Sequence, residues 1–446
     1  MKVLMLSWEL PPDHVGGLGK HVFHLSRALS AQGAETHVVT IARTNETTGG
    51  NDEPWVHRLM AYPVSSPDFV SWVLQLNVAM LERAIAVSLE HGEMSLVHAH
   101  DWLSCFAARA YKHAFCVPMV ATIHATEAGR NAGIHNAQQK YISDVEWWLG
   151  YEAWRIICCS SHMKNEVTSL FGAPEDKIEV IPNGVDPEEF RVPDRALSRD
   201  LFAHRDESMV FFVGRLVREK GVDTLIEAVR ILLDQGRKIK LVIAGTGPYE
   251  ENLKFKAAMT GIYSNTYFTG RITDNVRNHL YMWADAAVFP SYYEPFGIVA
   301  LEAMAAGSGL VVSDTGGMSE VVSHELNGLK VKPGDPAHLA SAIARLIDER
   351  ELRHKIRRAG LETVRRRYAW PQIAKHTLRL YDSVLAEYHR SAWGKNPHAR
   401  TGGIERAGSD HGGRRRFEAQ TSHVHDSEAD GAGVEHTGDA THSGPA

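Results

Sequence analysis

Short apolar runs alternate with amphipathic stretches along most of this chain. Residues 3–6 form an uninterrupted apolar run of strand length, and a Gly16-Gly17-Leu18-Gly19 loop follows. Over 20–31, Val22, Leu25, Ala28 and Leu29 fall on one helical face; Gly33 then stops the helix, and 36–41 give the next strand. Strand-like runs return at 96–99, 119–123, 155–159 and 178–181. Pro182-Asn183-Gly184-Val185-Asp186 is a turn cluster, followed by the polar segment 187–206. A second series then begins, with strands at 209–213, 240–244, 266–269, 286–289 and 310–313 and helices over 221–234 and after Pro248. Such alternation predicts parallel sheets wrapped by helices. The fold class is therefore α/β, with two doubly wound, Rossmann-like domains that divide near residue 184 and face a cleft. Ligands of such sheets lie at the carboxyl ends of the strands.

The last part of the chain divides in two. Over 370–388, Ile373, Leu378, Leu380, Tyr381, Val384, Leu385 and Tyr388 recur at mostly helical spacing. After Trp393 there is no Leu, Met, Tyr or Trp, while Gly, His, Ser, Thr and Asp abound. A segment of that composition buries too little apolar surface to order itself, so 391–446 is expected to be a disordered tail whose six histidines are solvated.

Composition narrows the function classes. A length of 446 residues, 44% of them apolar, suits two large domains plus extras. A net charge of −6 provides no global basic field, which argues against a nucleic-acid partner. The four cysteines, Cys105, Cys116, Cys158 and Cys159, have neither metal-type nor scaffold spacing, as expected for a reduced, cytoplasmic protein. The apolar run at the N-terminus is too short for a signal segment, and no stretch approaches the roughly 18 apolar residues that span a bilayer. Peripheral membrane contact stays open but is not indicated.

Candidate chemistry gathers at strand ends. Between Ser291 and Gly307, Glu294 falls in a loop broken by Pro295 and Gly297, and Glu302 rides on the helix that follows. Amides near Gly297 and Ile298, at that helix's start, can seat phosphate oxygens, and the carboxylates can accept bonds from sugar hydroxyls. Ordinary helix-end electrostatics is the competing explanation for the two glutamates. At Gly16 and Gly17 the backbone amides are uncovered and can approach phosphate or sugar. Dinucleotide binding is disfavoured there, because Val22 stands at the final glycine place and Ala42-Arg43 where an acidic ribose ligand would be expected. Arg215 and Lys220 can converge on a diphosphate, one as a planar fork and one as a point charge. His98-Ala99-His100-Asp101-Trp102 has a metal-ligating pattern, but two alternating series do not make the single barrel of a metal-dependent hydrolase. These residues are expected to line the cleft or hold its loop. His124, again just after a strand, can face a reacting sugar, and Arg130 a phosphate or acceptor.

Together, Gly16-Gly17, His124, the 181–186 turn, Gly214-Arg215, Lys220-Gly221, Gly245-Thr246-Gly247-Pro248, Glu294-Pro295-Phe296-Gly297 and Glu302 resemble the retaining glycosyltransferases of family 4, which have the GT-B fold. The resemblance spans about 1–390. It implies an acceptor-side domain over 1–183, a nucleotide-sugar domain over 184–370, and a helix over 371–390 that crosses back onto the first domain. It implies a catalytic set of His124, Glu294, Arg215 and Lys220. Gly16, Gly17, Arg271, Ile272, Gly297, Ile298 and Glu302 would bind the donor, Glu294 holding its sugar hydroxyls, Glu302 its ribose, and Arg271-Ile272 its base. Transfer would retain configuration, with the leaving diphosphate held by Arg215, Lys220 and helix amides; no Asp-x-Asp pair occurs in a suitable loop, so metal-independent transfer without a further cofactor is expected. Gly16 to Gly19 and His98 to Trp102 look most like glycogen and starch synthases, favouring an ADP- or UDP-glucose donor and an α-glucan acceptor. That group usually has Lys before its Val-Gly-Gly and Asp after the loop, where this chain has His14 and Lys20. A cell-envelope or lipid-linked-sugar transferase is an alternative, although its expected basic, apolar helix is not evident in the first domain. A nucleotide-sugar epimerase and a non-catalytic binding protein are the others.

Overall fold

The computed structural model describes residues 1–12, 16–42, 53, 55–191 and 197–395. The readings placed on His14, Val15, Arg43 and 396–446 lie outside these residues. Seven strands form the first sheet: β1 (Lys2–Leu6), β2 (Glu35–Ala42), β3 (Val56–Met60), β4 (Leu96–His100), β5 (Met119–Ile123), β6 (Arg155–Cys158) and β7 (Ile178–Val180). Six form the second: β8 (Ser208–Val213), β9 (Ile239–Ala244), β10 (Thr266–Gly270), β11 (Ala286–Phe289), β12 (Leu310–Ser313) and β13 (Leu329–Val331). The orders are β3-β2-β1-β4-β5-β6-β7 and β10-β9-β8-β11-β12-β13, with every pair parallel. Helices flank both sheets, as two Rossmann-like domains require.

In each sheet the order reverses once, between β1 and β4 and between β8 and β11. Chain connections leave such a point in opposite directions and open a crevice at the carboxyl ends of the strands. The loops after β1 and β4 in one lobe, and after β8 and β11 in the other, carry most of the candidate residues.

Two strands and several helices, the longest of them Phe69–His91, are absent from the sequence reading. β3 reads Val-His-Arg-Leu-Met, an edge strand broken by polar residues, and β13 has only three residues. The helix Phe69–His91 buries Val73, Leu76, Ala79, Met80, Ala84 and Val87 against the first sheet. With 23 residues, and a mean hydropathy of 1.3 over an 18-residue window, it is long and apolar enough by length and composition to cross a membrane, which corrects the expectation that no stretch is. Its apolar residues run around most of its surface, so no single-face period announces it.

The helix Trp370–Arg390 packs on the helix Gly17–Ser30 of the first lobe. Its Ile373, Ala374, Tyr381 and Val384 join Val3, Met5, Val22 and Leu25 in one core cluster. His98 fastens it: Nδ1 lies 2.7 Å from the Tyr381 hydroxyl, and Nε2 lies 2.7 Å from Thr122 Oγ1. A sequence motif with metal-ligating spacing thus contributes one of its two histidines to holding the terminal helix.

Candidate functional site

In the second lobe the site is assembled by the reversal between β8 and β11. The loop after β8 ends at Gly221, whose φ of +65° is costly for residues with a side chain. A Cβ there would meet the Pro290 carbonyl oxygen at 2.0 Å, so glycine is what permits this loop to lie against the end of β11. The Tyr292 N–H donates to the Glu219 carbonyl at 2.8 Å and locks the two loops together. Consequently Lys220 Nζ reaches Glu294 Oε2 at 2.8 Å. The helix Ile298–Ala305 then starts from Gly297, at φ +98°, with no capping side chain, so its first amides have no side-chain acceptor.

Glu302 is buried in a cage of cations. Lys20 Nζ lies 3.3 Å from its Oε1 and Arg277 Nη1 3.7 Å, while the Tyr281 hydroxyl donates to Oε2 at 3.1 Å. Burial pushes this carboxyl up, but Arg277, Lys20 and Tyr281 outweigh it and hold it below the usual carboxylate range.

The facing wall of the first lobe is made of imidazoles. His100, at the end of β4, lies 3.3 Å from His124 (Nδ1 to Nε2), and His21 comes edge-on to His124 with ring centroids 4.8 Å apart. The N–H of His124 donates to Asp101 Oδ1 at 2.7 Å, which fixes the loop after β5. Burial drives His21 and His100 well below their ordinary value and His124 down to about 3, so all three are neutral. Among the described residues, both ring nitrogens of His21, Nε2 of His100 and Oδ1 of neighbouring Asn183 are buried without a hydrogen-bond partner. One ring nitrogen each from His21, His100 and His124 lies within 4.8 Å of the other two, a spacing that suits a ligand rich in hydroxyls or a cation.

The lobes meet around these walls. Ser160 Oγ donates to the Pro295 carbonyl at 2.6 Å, Tyr293 to Glu166 Oε1 at 2.9 Å, and the Glu320 carboxylate accepts the N–H groups of Ser161 and His162 at 2.9 and 2.7 Å. Gly17 faces Ile298 so closely that a Cβ on it would stand 3.1 Å from Ile298 Cδ1.

The structure thus brings together Lys220, Glu294, Gly297, Ile298 and Glu302 with Gly16, Gly17 and His124 across the crevice. Arg215 is not among them: its side chain is 70% exposed and lies 3.8 Å from Glu219. Arg271 is exposed just beyond β10, and Ile272 packs on the core. Arg130 lies 3.5 Å from Asp101, within its own lobe. In the glycine loop the Gly19 amide is already taken by Glu9 Oε1 at 2.9 Å. Three site residues escape sequence reasoning: Lys20, Arg277 and His21. Lys20 carried a signal as a departure from the family pattern; Arg277 and His21 sit on amphipathic helices, where nothing local separates them from surface residues.

With this geometry established, comparison with known proteins is informative. Residues 15–189 match the family described as Glycosyltransferase Family 4, and residues 194–363 match Glycosyl transferases group 1. An uncharacterized glycosyltransferase of Methanocaldococcus jannaschii is 36% identical over 390 residues, covering 86% of this chain and 99% of that protein. Glycogen synthase of Mycobacterium tuberculosis is 36% identical over 402 residues, covering 85% of this chain and 94% of its own. Among solved structures, sucrose-phosphate synthase from Thermosynechococcus elongatus has a TM-score of 0.75 at 25% identity, covering 86% of this chain and 99% of that one. Anabaena HepE in complex with UDP and glucose has a TM-score of 0.71 at 21% identity, covering 86% and 100%.

Proposed function

We propose, given that this chain belongs to the family 4 glycosyltransferases with the GT-B fold, that it moves glucose from a nucleotide-diphosphate donor to an α-glucan hydroxyl with retention of configuration. The observation that carries this reading is the facing of two unlike walls: the Lys220–Glu294 pair and uncapped helix amides on one side, and on the other neutral imidazoles among which His21 and Nε2 of His100 lack a hydrogen-bond partner. In this reading residues 184–370 hold the donor and 1–183 the acceptor. The bond from the sugar C1 to the diphosphate oxygen breaks, and its electron pair leaves with the nucleoside diphosphate. Lys220, together with the amides at Gly297 and Ile298 and the exposed Arg215, stabilises that growing negative charge. The acceptor oxygen bonds to C1 on the face the diphosphate vacates and passes its proton to a diphosphate oxygen. Glu294 and His124 hold sugar hydroxyls, and Glu302 the ribose. The HepE complex with UDP and glucose and the similarity to glycogen synthase support a UDP- or ADP-glucose donor and a glucan acceptor.

A donor screen on the purified chain tests this, scoring nucleoside diphosphate release with and without glycogen. Glycogen-dependent release is expected. Release that ignores glycogen would sink the glucan assignment and favour hydrolysis or epimerisation.

One observation favours a second reading, a lipid-linked or envelope acceptor. Along the helix Phe69–His91, Leu74, Val78 and Leu89 are exposed at helical spacing, with Leu81 and Ile85 half-buried between them. Co-sedimentation with anionic vesicles, lost in a Leu74→Gln/Val78→Gln double variant, would establish it.

A further inference from the structure

Far from the crevice, on the edge of the first sheet, a second group of histidines meets from three separate elements. His37 comes from β2, His57 from β3, and His91 from the last position of the helix Phe69–His91. His37 and His57 are buried at 5% and 6% exposure, whereas the His91 side chain is 38% exposed. One ligand atom from each lies within 4.8 Å of the other two. His37 Nδ1 and His57 Nε2 are 2.9 Å apart, and the His37 and His91 rings are 4.4 Å apart between centroids.

We infer that His37, His57 and His91 form a binding site for a divalent transition cation of the zinc type, which staples the end of the long helix to the sheet edge. Three imidazoles with a fourth, open position are a ligand set suited to such ions. Metal–nitrogen bonds of about 2.0–2.1 Å at tetrahedral angles place ligand nitrogens about 3.4 Å apart. The buried pair already stands near that separation, so the movement falls on the exposed His91. An outer partner is present too: Glu35 Oε1 lies 3.2 Å from His37 Nε2, the carboxylate–imidazole arrangement that orients a ligand whose other nitrogen faces the ion.

The charges around the group are balanced. Glu35 and Glu90 face it, as do Lys2, 3.3 Å from Glu35, and Arg83, 3.2 Å from Glu90. Arg83 Nη2 also lies 3.2 Å from His57 Nδ1. There it donates to His57 and keeps the imidazole proton on Nε2, toward His37. Occupancy by a metal therefore requires that proton to move to Nδ1 and Arg83 to turn fully to Glu90. Arg83 accordingly opposes the ion, which makes the site's affinity sensitive to a residue that is not a ligand.

The test is a Co2+ titration of the full, chelator-stripped chain, followed by visible absorption. The wild type is expected to show one saturable equivalent with a tetrahedral cobalt band that Zn2+ displaces. His91→Ala should lose that equivalent while keeping its circular dichroism and its transfer rate, because His91 lies outside the transfer site. Arg83→Gln should bind cobalt about tenfold more tightly, the scale on which outer-shell residues act. The same band and stoichiometry in His91→Ala would overturn the assignment, since the ion would then sit on the crevice imidazoles or the terminal histidines. Unchanged affinity in Arg83→Gln would overturn the role given to His57.

Discussion

The two walls of the crevice solve the problem of burying polar groups in opposite ways. On the second lobe's wall charge is kept and paired: Lys220 with Glu294 at 2.8 Å, and Glu302 with Arg277 at 3.7 Å and, reaching across from the first lobe, with Lys20 at 3.3 Å. Among the first lobe's imidazoles charge is removed: His21, His98, His100 and His124 are all driven to the neutral form by burial. Each arrangement fits what would sit beside it. Ion pairs can be reopened to meet an anionic diphosphate, while neutral imidazoles can exchange hydrogen bonds with hydroxyls without a charge being left unpaired.

Acid should break the first wall before the second. An unfolded chain protonates these four histidines near pH 6.5, whereas the folded chain keeps them neutral to much lower pH, so their contribution is complete above 6.5 and lost below it. Each costs up to about 1.4 kcal/mol per pH unit in that range. Asp101, pushed up to about 6, and Glu146, pushed up to about 8, act oppositely: their stabilisation is present at low pH and lost as pH rises through those values. Within this group, four histidines against two carboxyls give the unfolded state about two extra protons, and His24 and His57, both lowered to about 4, add to the difference. Denaturant midpoints should therefore fall steadily from pH 6.5 to 5, and His124→Gln should flatten that slope by about one proton.

Breaking the second wall calls for single substitutions. Arg277→Ala leaves Glu302 buried with a cation removed and should cost about 3–5 kcal/mol in urea unfolding, whereas Arg277→Lys should restore part of it. Glu294→Ala or Lys220→Ala should slow transfer by roughly 10²–10³-fold with the unfolding transition kept cooperative; near-normal rates would remove this pair from the reaction. The smallest effect belongs to the residue that joins the walls to the terminal helix. His98→Phe loses its bonds to Tyr381 and Thr122 and should cost about 1–3 kcal/mol, read as faster amide exchange in the helix Trp370–Arg390.

Much of the fold is legible in the chain because its signals are local. The run at Ala286–Phe289, the stop at Gly33 and the turn at Pro182 each act within a few residues. β3 was illegible because His57 and Arg58 interrupt its apolar pattern. The helix Phe69–His91 was illegible because its apolar residues surround it. Within the site, Glu294, Gly297 and Glu302 stood out through one short segment, whereas the partners that set their chemistry did not. Arg215 reads as a phosphate ligand from its place after a strand, while its side chain is exposed beside Glu219.

By itself, the order of residues determined two wound sheets and the loops that would carry chemistry, since period and turn preference depend on near neighbours. Only the tertiary structure decided which charges meet. Lys220 and Glu294 are 74 positions apart and Lys20 and Glu302 are 282, and a Coulomb interaction depends on distance through space, which the packing of two lobes sets and local pattern does not.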